Sequence, residues 1–396
     1  MMNVAHESGS LVDRDIFSDE HDQFRAVVRR FVESELQPHH HQWEKDGIVP
    51  REAWRKAAEL GILCPTVPEE YGGIGADWLY SVVAIEEITR ANVTGPGFMV
   101  HSEMVAPYIL AWGTEELKHA WLPRMVAGEV IGSVGMTEPG AGSDLKALRT
   151  RAVRDGDEYR IDGQKTYISN GGQCDLIVLA CKTDPAAGAR GVSLIVVDAD
   201  QPGFERGRRL EKIGLKAQDT AELFFNDCRA PVSHRLGEEG QGFGMLMTKL
   251  AQERLSVGVK GMSACEAALR WTVDYVGERR LFGAPLGDMQ NTQFVLAQLA
   301  AEVSQARIFV DWGIRRFMDG HLSAVDASKI KLLVTELNGR VVDQCLQFFG
   351  GYGYMTEYPI AQAYVDARIS RIAGGANEVM RQIIARDLYR GQEGRG

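Results

Sequence analysis

The stretch YRIDGQKTYI, residues 159–168, decides how the fold of this chain is read. Tyr159 and Ile161 alternate with polar neighbours, and Asp162-Gly163 is a two-residue turn signal. Thr166, Tyr167 and Ile168 are residue types that suit a pleated strand. The pattern predicts two strands joined by a hairpin. Short apolar, β-branched runs at residues 176–180 and 192–197, and the largely apolar run at 221–225, extend the same texture.

Outward from this module the period changes. On the N-terminal side Phe24, Val27, Val28, Phe31 and Leu36 recur at three- and four-residue steps, the spacing of a helix face, with Ser18 as a plausible cap. Beyond Gly242 long helical patterns return and persist to about Arg390. Helices, a β module, then helices give an α+β class without βαβ alternation. The expected domains are 15–130 (helical), 131–240 (a β-barrel or sandwich) and 241–396 (helical bundle), in keeping with 396 residues, too many for one typical domain. Gly240, Gly242 and Gly244 lack the preceding strand, spacing and βαβ context of a dinucleotide fingerprint, so a Rossmann site is rejected.

Composition narrows function less than it narrows fold. The net charge of −10 leaves no basic footprint for nucleic acid and no polybasic membrane anchor. Six cysteines are scattered without a C-x-x-C pair, which suits reduced, buried thiols. The N-terminus shows no signal or transit pattern and no run reaches 18 apolar residues, so the expectation is a cytoplasmic protein of a prokaryote-like cell. His39, His40 and His41 are adjacent and cannot share one helix face, so they read as a solvated helix end rather than a metal site.

Three segments can carry chemistry. In MTEPGAGSD, residues 136–144, two glycines and a proline among hydroxyl and acidic residues form either a surface loop or a row of backbone N–H donors for a ring edge or pyrophosphate. Tyr167 and Ser169 stand two apart on a strand and so point to one face. That pair is either core plus turn, or an aromatic and a hydroxyl that meet a planar ring. Third, Leu246, Leu250, Glu253, Val257, Gly261 and Ala264 follow one helical stripe. Glu253 is the carboxylate on that apolar stripe; burial would raise its pKa and suit it to act as a base near neutral pH.

Together with LKAQDTAELFF (215–225), ERRLFG (278–283) and QFFGGYGYMTEYP (347–359), these segments resemble the acyl-CoA dehydrogenase family over nearly the whole chain. The resemblance implies an N-terminal helical domain, a central β domain and a C-terminal four-helix bundle, assembled as a homotetramer. It implies FAD, with Met136 and Thr137 at the pyrimidine edge, Tyr167 stacked near the ring and Ser169 near N5. Ser143 is expected to touch cofactor and CoA. Arg279, Phe282, Gln290, Gln347, Gly350 and Gly351 are expected to reach the cofactor of a neighbouring subunit. Ala376 stands where the family commonly has threonine.

In most of the family the catalytic glutamate occupies the position that is Gly374 here. Long-chain and isovaleryl-type members carry it on an earlier helix, and Gln252-Glu253-Arg254 matches that arrangement. The implied roles are Glu253 as base, Arg254 as its organiser, and Gln252, Gly374 and Gly375 around the thioester. GPGF (95–98) resembles the long-chain type, in which Pro96 would open the pocket end to a long acyl tail. The implied reaction is α,β-dehydrogenation of an acyl-CoA, with electrons passed to an electron-transferring flavoprotein. Branched, terpenoid or steroid side-chain thioesters are the alternative substrates, and an inactive or flavin-free assembly subunit the more distant alternative.

Overall fold

The computed structural model describes residues 10–393, with side chains to Tyr389. Six helices open the chain: α1 (Asp19–Phe31), α2 (Gln37–Asp46), α3 (Arg51–Glu59), α4 (Trp78–Arg90), α5 (Ala106–Trp112) and α6 (Glu115–Val126). Two π-helical segments, Val32–Leu36 and Val100–Val105, run directly into α2 and α5. Such widened turns shift side chains off the α period and are frequent at functional sites.

Eight strands follow in one sheet: β1 (Gly132–Gly135), β2 (Arg151–Asp155), β3 (Glu158–Ser169), β4 (Leu176–Lys182), β5 (Val192–Asp198), β6 (Phe204–Arg209), β7 (Thr220–Pro231) and β8 (Arg235–Leu236). Their order is β6-β7-β3-β2-β4-β5-β8, with β1 parallel to β4. β2 joins β4 through a single pair, Arg151 with Lys182. The sheet therefore turns at β2, and its two halves enclose one core, with Ile177, Leu179, Ile195 and Val197 facing Tyr159, Ile161, Leu223 and Phe225. Leu176, Val178, Leu194 and Val196, on the opposite face of β4 and β5, pack on α5, α6 and the start of the next helix.

The expected hairpin at Asp162-Gly163 does not form. β3 runs unbroken through that dipeptide, and the turn falls at Gly156-Asp157, where Gly156 has φ +65°. Both places carry Asp-Gly, so local turn chemistry could not choose between them. Gly163 serves a close approach instead: a Cβ there would lie 2.6 Å from the Thr150 Cα, and the register with β7 shifts at this point. A second shift lies between Lys165 and Ile168, where Tyr167 adopts φ +59°.

The C-terminal region holds α7 (Gly242–Glu278), a small ribbon of β9 (Arg280–Leu281) and β10 (Ala284–Pro285), then α8 (Gln290–Met318), α9 (Ala324–Phe349), α10 (Pro359–Ala367) and α11 (Asn377–Glu393). The apolar faces of α4, α7, α8, α9 and α10 share one core. A buried ion network locks α4 to this bundle. Arg14 and Arg307 both donate to Glu86 Oε1, at 2.8 and 3.1 Å, and Arg307 also grips Glu266. The surrounding guanidinium groups hold the Glu86 carboxyl well below the usual range despite its burial. No helix among the described residues is long and apolar enough to cross a membrane. All six cysteines are buried and unpaired.

Candidate active site

α7 is the rod on which the site is built. Leu246, Leu250, Glu253, Val257 and Gly261 of the expected stripe are buried, and Ala264 at its end is half-buried. Glu253 is 4 % exposed, and its Oε1 accepts a 3.0 Å hydrogen bond from the Tyr108 hydroxyl on α5. Burial lifts its pKa from 4.5 to about 7, against the opposing pull of Tyr108, Arg254 and Lys249. The group is thus poised to hold or release a proton near neutrality.

The loop through Gly374 and Gly375 lies over the same turn of α7. A Cβ on Gly374 would sit 3.7 Å from Val257 Cγ2, and one on Gly375 would sit 3.9 Å from an Arg254 nitrogen. Both glycines have positive φ, +65° and +90°. Among the described residues their N–H groups have no backbone partner. Lys331 on α9 fixes this loop, donating at 2.8 Å to the Gly375 carbonyl and at 2.8 Å to Asn377 Oδ1. Burial pushes its ammonium down to about 8. Arg254 turns to Ser328, its Nη1 donating at 3.2 Å, while its charge still acts on Glu253. Gln252 points elsewhere, donating to Glu103 at 3.2 Å, so it meets the pocket only through that side chain.

A second patch forms where β1 runs on toward β3. The Thr166 N–H donates to the Thr137 carbonyl at 3.0 Å, and Lys165 Nζ to the Met136 carbonyl at 3.1 Å, which sets Met136 and Thr137 beside Tyr167. Tyr167 is 70 % exposed, Ile168 is buried and Ser169 is half-buried. That burial pattern fits Tyr167 and Ser169 on one face, although Tyr167 sits in the bulge with φ +59°. Ser143 lies in the exposed part of the following loop, and a Cβ on Gly140 or Gly142 would meet nothing within 4 Å. Asn170 ties this patch to the N-terminal region through bonds to the Gly97 and Gly132 carbonyls.

Pro96 lines a cavity between α4, the Val100–Val105 segment and α7. Gly95 and Gly97, the glycines on either side of it, do not line it. A Cβ on Gly97 would lie 1.8 Å from Asn170 Oδ1, and one on Gly95 2.6 Å from the Ala217 Cβ. Their role is close packing against the β module. His40, read as part of a solvated helix end, is buried and accepts the N–H groups of Thr94 and Gly95 at 3.1 Å each. Desolvation lowers its pKa to about 4, so it stays a neutral acceptor.

Arg279, Gly350 and Gly351 meet in a groove at the far end of the bundle, where Arg279 lies over the Tyr352 ring. Phe282 projects beside it, 98 % exposed, and Gln290 and Gln347 are exposed at the adjoining helix ends. Glu253 and Glu278 are 25 residues apart on one continuous helix, about 37 Å. This groove and Glu253 therefore do not share one pocket within a single chain.

Three family profiles match the chain: the acyl-CoA dehydrogenase N-terminal domain over residues 18–129, the middle domain over 133–228 and the C-terminal domain over 240–389. The chain belongs to the acyl-CoA dehydrogenase family. It is an oxidoreductase of the class that acts on CH–CH bonds. This dehydrogenase is 46 % identical over 377 residues to the mitochondrial long-chain specific acyl-CoA dehydrogenase of Rattus norvegicus, covering 95 % of this chain and 88 % of the relative. An acyl-CoA dehydrogenase structure from Geobacillus kaustophilus superposes with a TM-score of 0.93 at 49 % identity, covering 95 % of this chain and all of that one. A glutaryl-CoA dehydrogenase from Mycobacterium smegmatis, solved in complex with FADH2, gives 0.88 at 27 % identity, over 94 % of this chain and 95 % of that one.

Tyr108, Lys331 and Glu103 were not picked out in the sequence. Each lies within a helical or π-helical segment, and its partner is 145, 44 or 149 residues away. The signal available was a polar residue on an otherwise apolar face, which marks burial but does not name a partner.

Proposed function

We propose that this protein converts acyl-CoA thioesters to trans-2-enoyl-CoA, with Glu253 as the base that removes the α-proton. The observation that carries the reading is one buried carboxyl, titrating near 7, under a loop whose two glycines leave space and free N–H groups. Glu253 takes the α-proton and becomes neutral, the form that burial favours. Gly374 or Gly375 donates an N–H to the thioester oxygen as negative charge develops there. Arg254 steadies the ionised base beforehand by charge, and Tyr108 orients it by its hydrogen bond.

FAD is the cofactor, and when bound it supplies the hydride acceptor for the β-hydrogen. The patch at Met136, Thr137, Tyr167 and Ser169 suits a flat ring, with an outward aromatic and a nearby hydroxyl on well-fixed strands. Ser143, exposed in the following loop, is offered to both cofactor and CoA. Arg279, Phe282, Gln290, Gln347, Gly350 and Gly351 serve a neighbouring copy's cofactor, which the helix length between them and Glu253 supports. The assembly is a homotetramer, and an electron-transferring flavoprotein is the partner that reoxidises the cofactor. Similarity to the long-chain rat enzyme and the place of Pro96 in the cavity favour medium to long acyl chains.

The test is anaerobic mixing of the FAD-loaded protein with straight and branched acyl-CoAs. Flavin bleaching with one equivalent of trans-2-enoyl-CoA is expected. No enoyl-CoA from any thioester would overturn the reading.

A further inference from the structure

The cavity lined by Pro96 touches α7 at Lys260, and its walls are mixed apolar and polar. Near Pro96 it is walled by Phe98, Met99, Ile85 and Ile88. Lys260 also lines it, and so does Glu103. Glu253, Val257 and Lys260 stand at i, i+4 and i+7 on one face of α7, so the lysine is about 10 Å along the helix from the base. An acyl tail that presents its α-carbon to Glu253 and lies along α7 brings its distal part to Lys260.

Lys260 is half-buried, and among the described residues its ammonium makes no hydrogen bond and no ion pair within 4 Å. The acid whose charge it feels, Asp366, already accepts from the Leu215 N–H and the Thr94 hydroxyl. Glu103 is held by Trp78 Nε1 at 2.7 Å and by Gln252. Burial raises the pKa of both acids, so each leans toward its neutral form. What remains is an unmatched donor in a tail cavity. A plain alkyl tail would strip water from that donor and return nothing, which is costly for a charged group. An oxygen on the tail would accept a charge-assisted hydrogen bond. A carboxylate tail would have to give up its own hydration among Phe98, Met99, Ile85 and Ile88, a cost that a neutral oxygen avoids.

We propose that Lys260 recognises a neutral oxygen, hydroxyl or oxo, on the distal part of the acyl chain, so that oxygenated acyl thioesters are the substrate class. The inference rests on the dehydrogenase reading of Glu253 and adds to it. Efficiency of the FAD-loaded enzyme is measured on medium-chain acyl-CoAs that are unsubstituted, hydroxylated at or next to the tail end, or terminated by a carboxylate. The hydroxylated chains should lead the unsubstituted ones by roughly ten- to a hundredfold in kcat/KM, the range of a hydrogen bond to a charged group. Lys260→Met should bring that ratio close to one by losing hydroxylated substrate and gaining plain substrate. Lys260→Gln, which keeps a neutral donor, should retain part of the preference. Independently of turnover, Lys260→Met should raise the melting temperature of the substrate-free holoenzyme by removing an unpaired, partly desolvated cation. A ratio unchanged by Lys260→Met, or a preference for the carboxylate-ended chain, overturns the inference while leaving the dehydrogenase reading intact. Absence of turnover on every thioester overturns the dehydrogenase reading itself, and this inference with it.

Discussion

Glu253→Gln separates a buried base from a structural glutamate, because the two roles predict opposite signs in a stability measurement. The carboxyl titrates near 7 in the folded protein against an ordinary 4.5, and burial is the largest cause. The folded state thus binds this proton more tightly than the unfolded state. Stability from the neutral carboxyl is fully present below about pH 4.5 and is lost as pH rises through about 7. A shift of roughly 2.5 units corresponds to about 3 kcal/mol at the alkaline limit. The glutamine is neutral at all pH values, and its Oε1 can still accept from Tyr108.

The variant should therefore match the wild type near pH 4.5 and exceed it by up to about 3 kcal/mol above pH 7.5, a difference of a few degrees in melting temperature. The assay is thermal unfolding of substrate-free, FAD-loaded protein across that pH range. In the same preparation, flavin reduction by substrate should slow by about 100- to 10,000-fold, the usual cost of losing a positioned base. If Glu253→Gln is less stable than wild type above pH 7, the carboxylate is held by its ion and hydrogen-bond partners, and burial is not the dominant influence. If it reduces flavin at the wild-type rate, Glu253 is not the base, whatever its pKa.

Tyr108→Phe removes a hydrogen bond that favours the ionised base, so the acid limb of the kcat/KM pH profile should move up by about one unit; a downward move would contradict the 3.0 Å contact. Gly97→Leu should destabilise the protein and depress turnover of all chain lengths alike, because its Cβ would collide with Asn170; a loss confined to long substrates would return Gly97 to the pocket. Catalytic efficiency on unsubstituted thioesters should climb from butyryl-CoA by at most roughly 0.8 kcal/mol per methylene and flatten once the tail reaches Lys260. Arg279→Gln should weaken FAD retention, and sedimentation should find the flavin on dimers or larger species; a flavin-loaded monomer would remove the cross-subunit assignment.

The pattern of buried helix faces was legible because it is periodic. The stripe from Leu246 to Gly261 needs only a spacing of three and four, and α7 buries all of it. Strands β4 and β5 were equally plain as short β-branched runs, while AELFF marked only the first part of β7. The hairpin was misplaced because Asp155-Gly156 and Asp162-Gly163 offer the same local chemistry, and only the crossing of β3 by Thr150 distinguishes them. His40 was misjudged because three adjacent histidines look solvated until the Gly95 loop folds back onto one of them. The bulge between Lys165 and Ile168, where Tyr167 takes φ +59°, could not be foreseen because it is a property of the pairing with β7, not of β3 alone. The sequence-distant partners Tyr108, Glu103 and Lys331 carry no spacing signal at all.

The position proposed for the base follows from what burial does to charge. A carboxylate resting on an apolar stripe is the high-energy form of that group, and taking up a proton relieves the cost. The same burial would be harmful if the segment opposite were also acidic, since two carboxyls there would compete for one proton. Gly374 removes that competition, and its positive φ lets the backbone turn an N–H toward the space a side chain would otherwise fill. Lys331 then holds the loop from behind, through the Gly375 carbonyl and Asn377, so the donors keep their place without a side chain in the pocket. On the proposed function one helix supplies the carboxyl and one clamped loop the donors, while the run of about 37 Å along α7 beyond Glu253 sets Arg279 apart from that pocket.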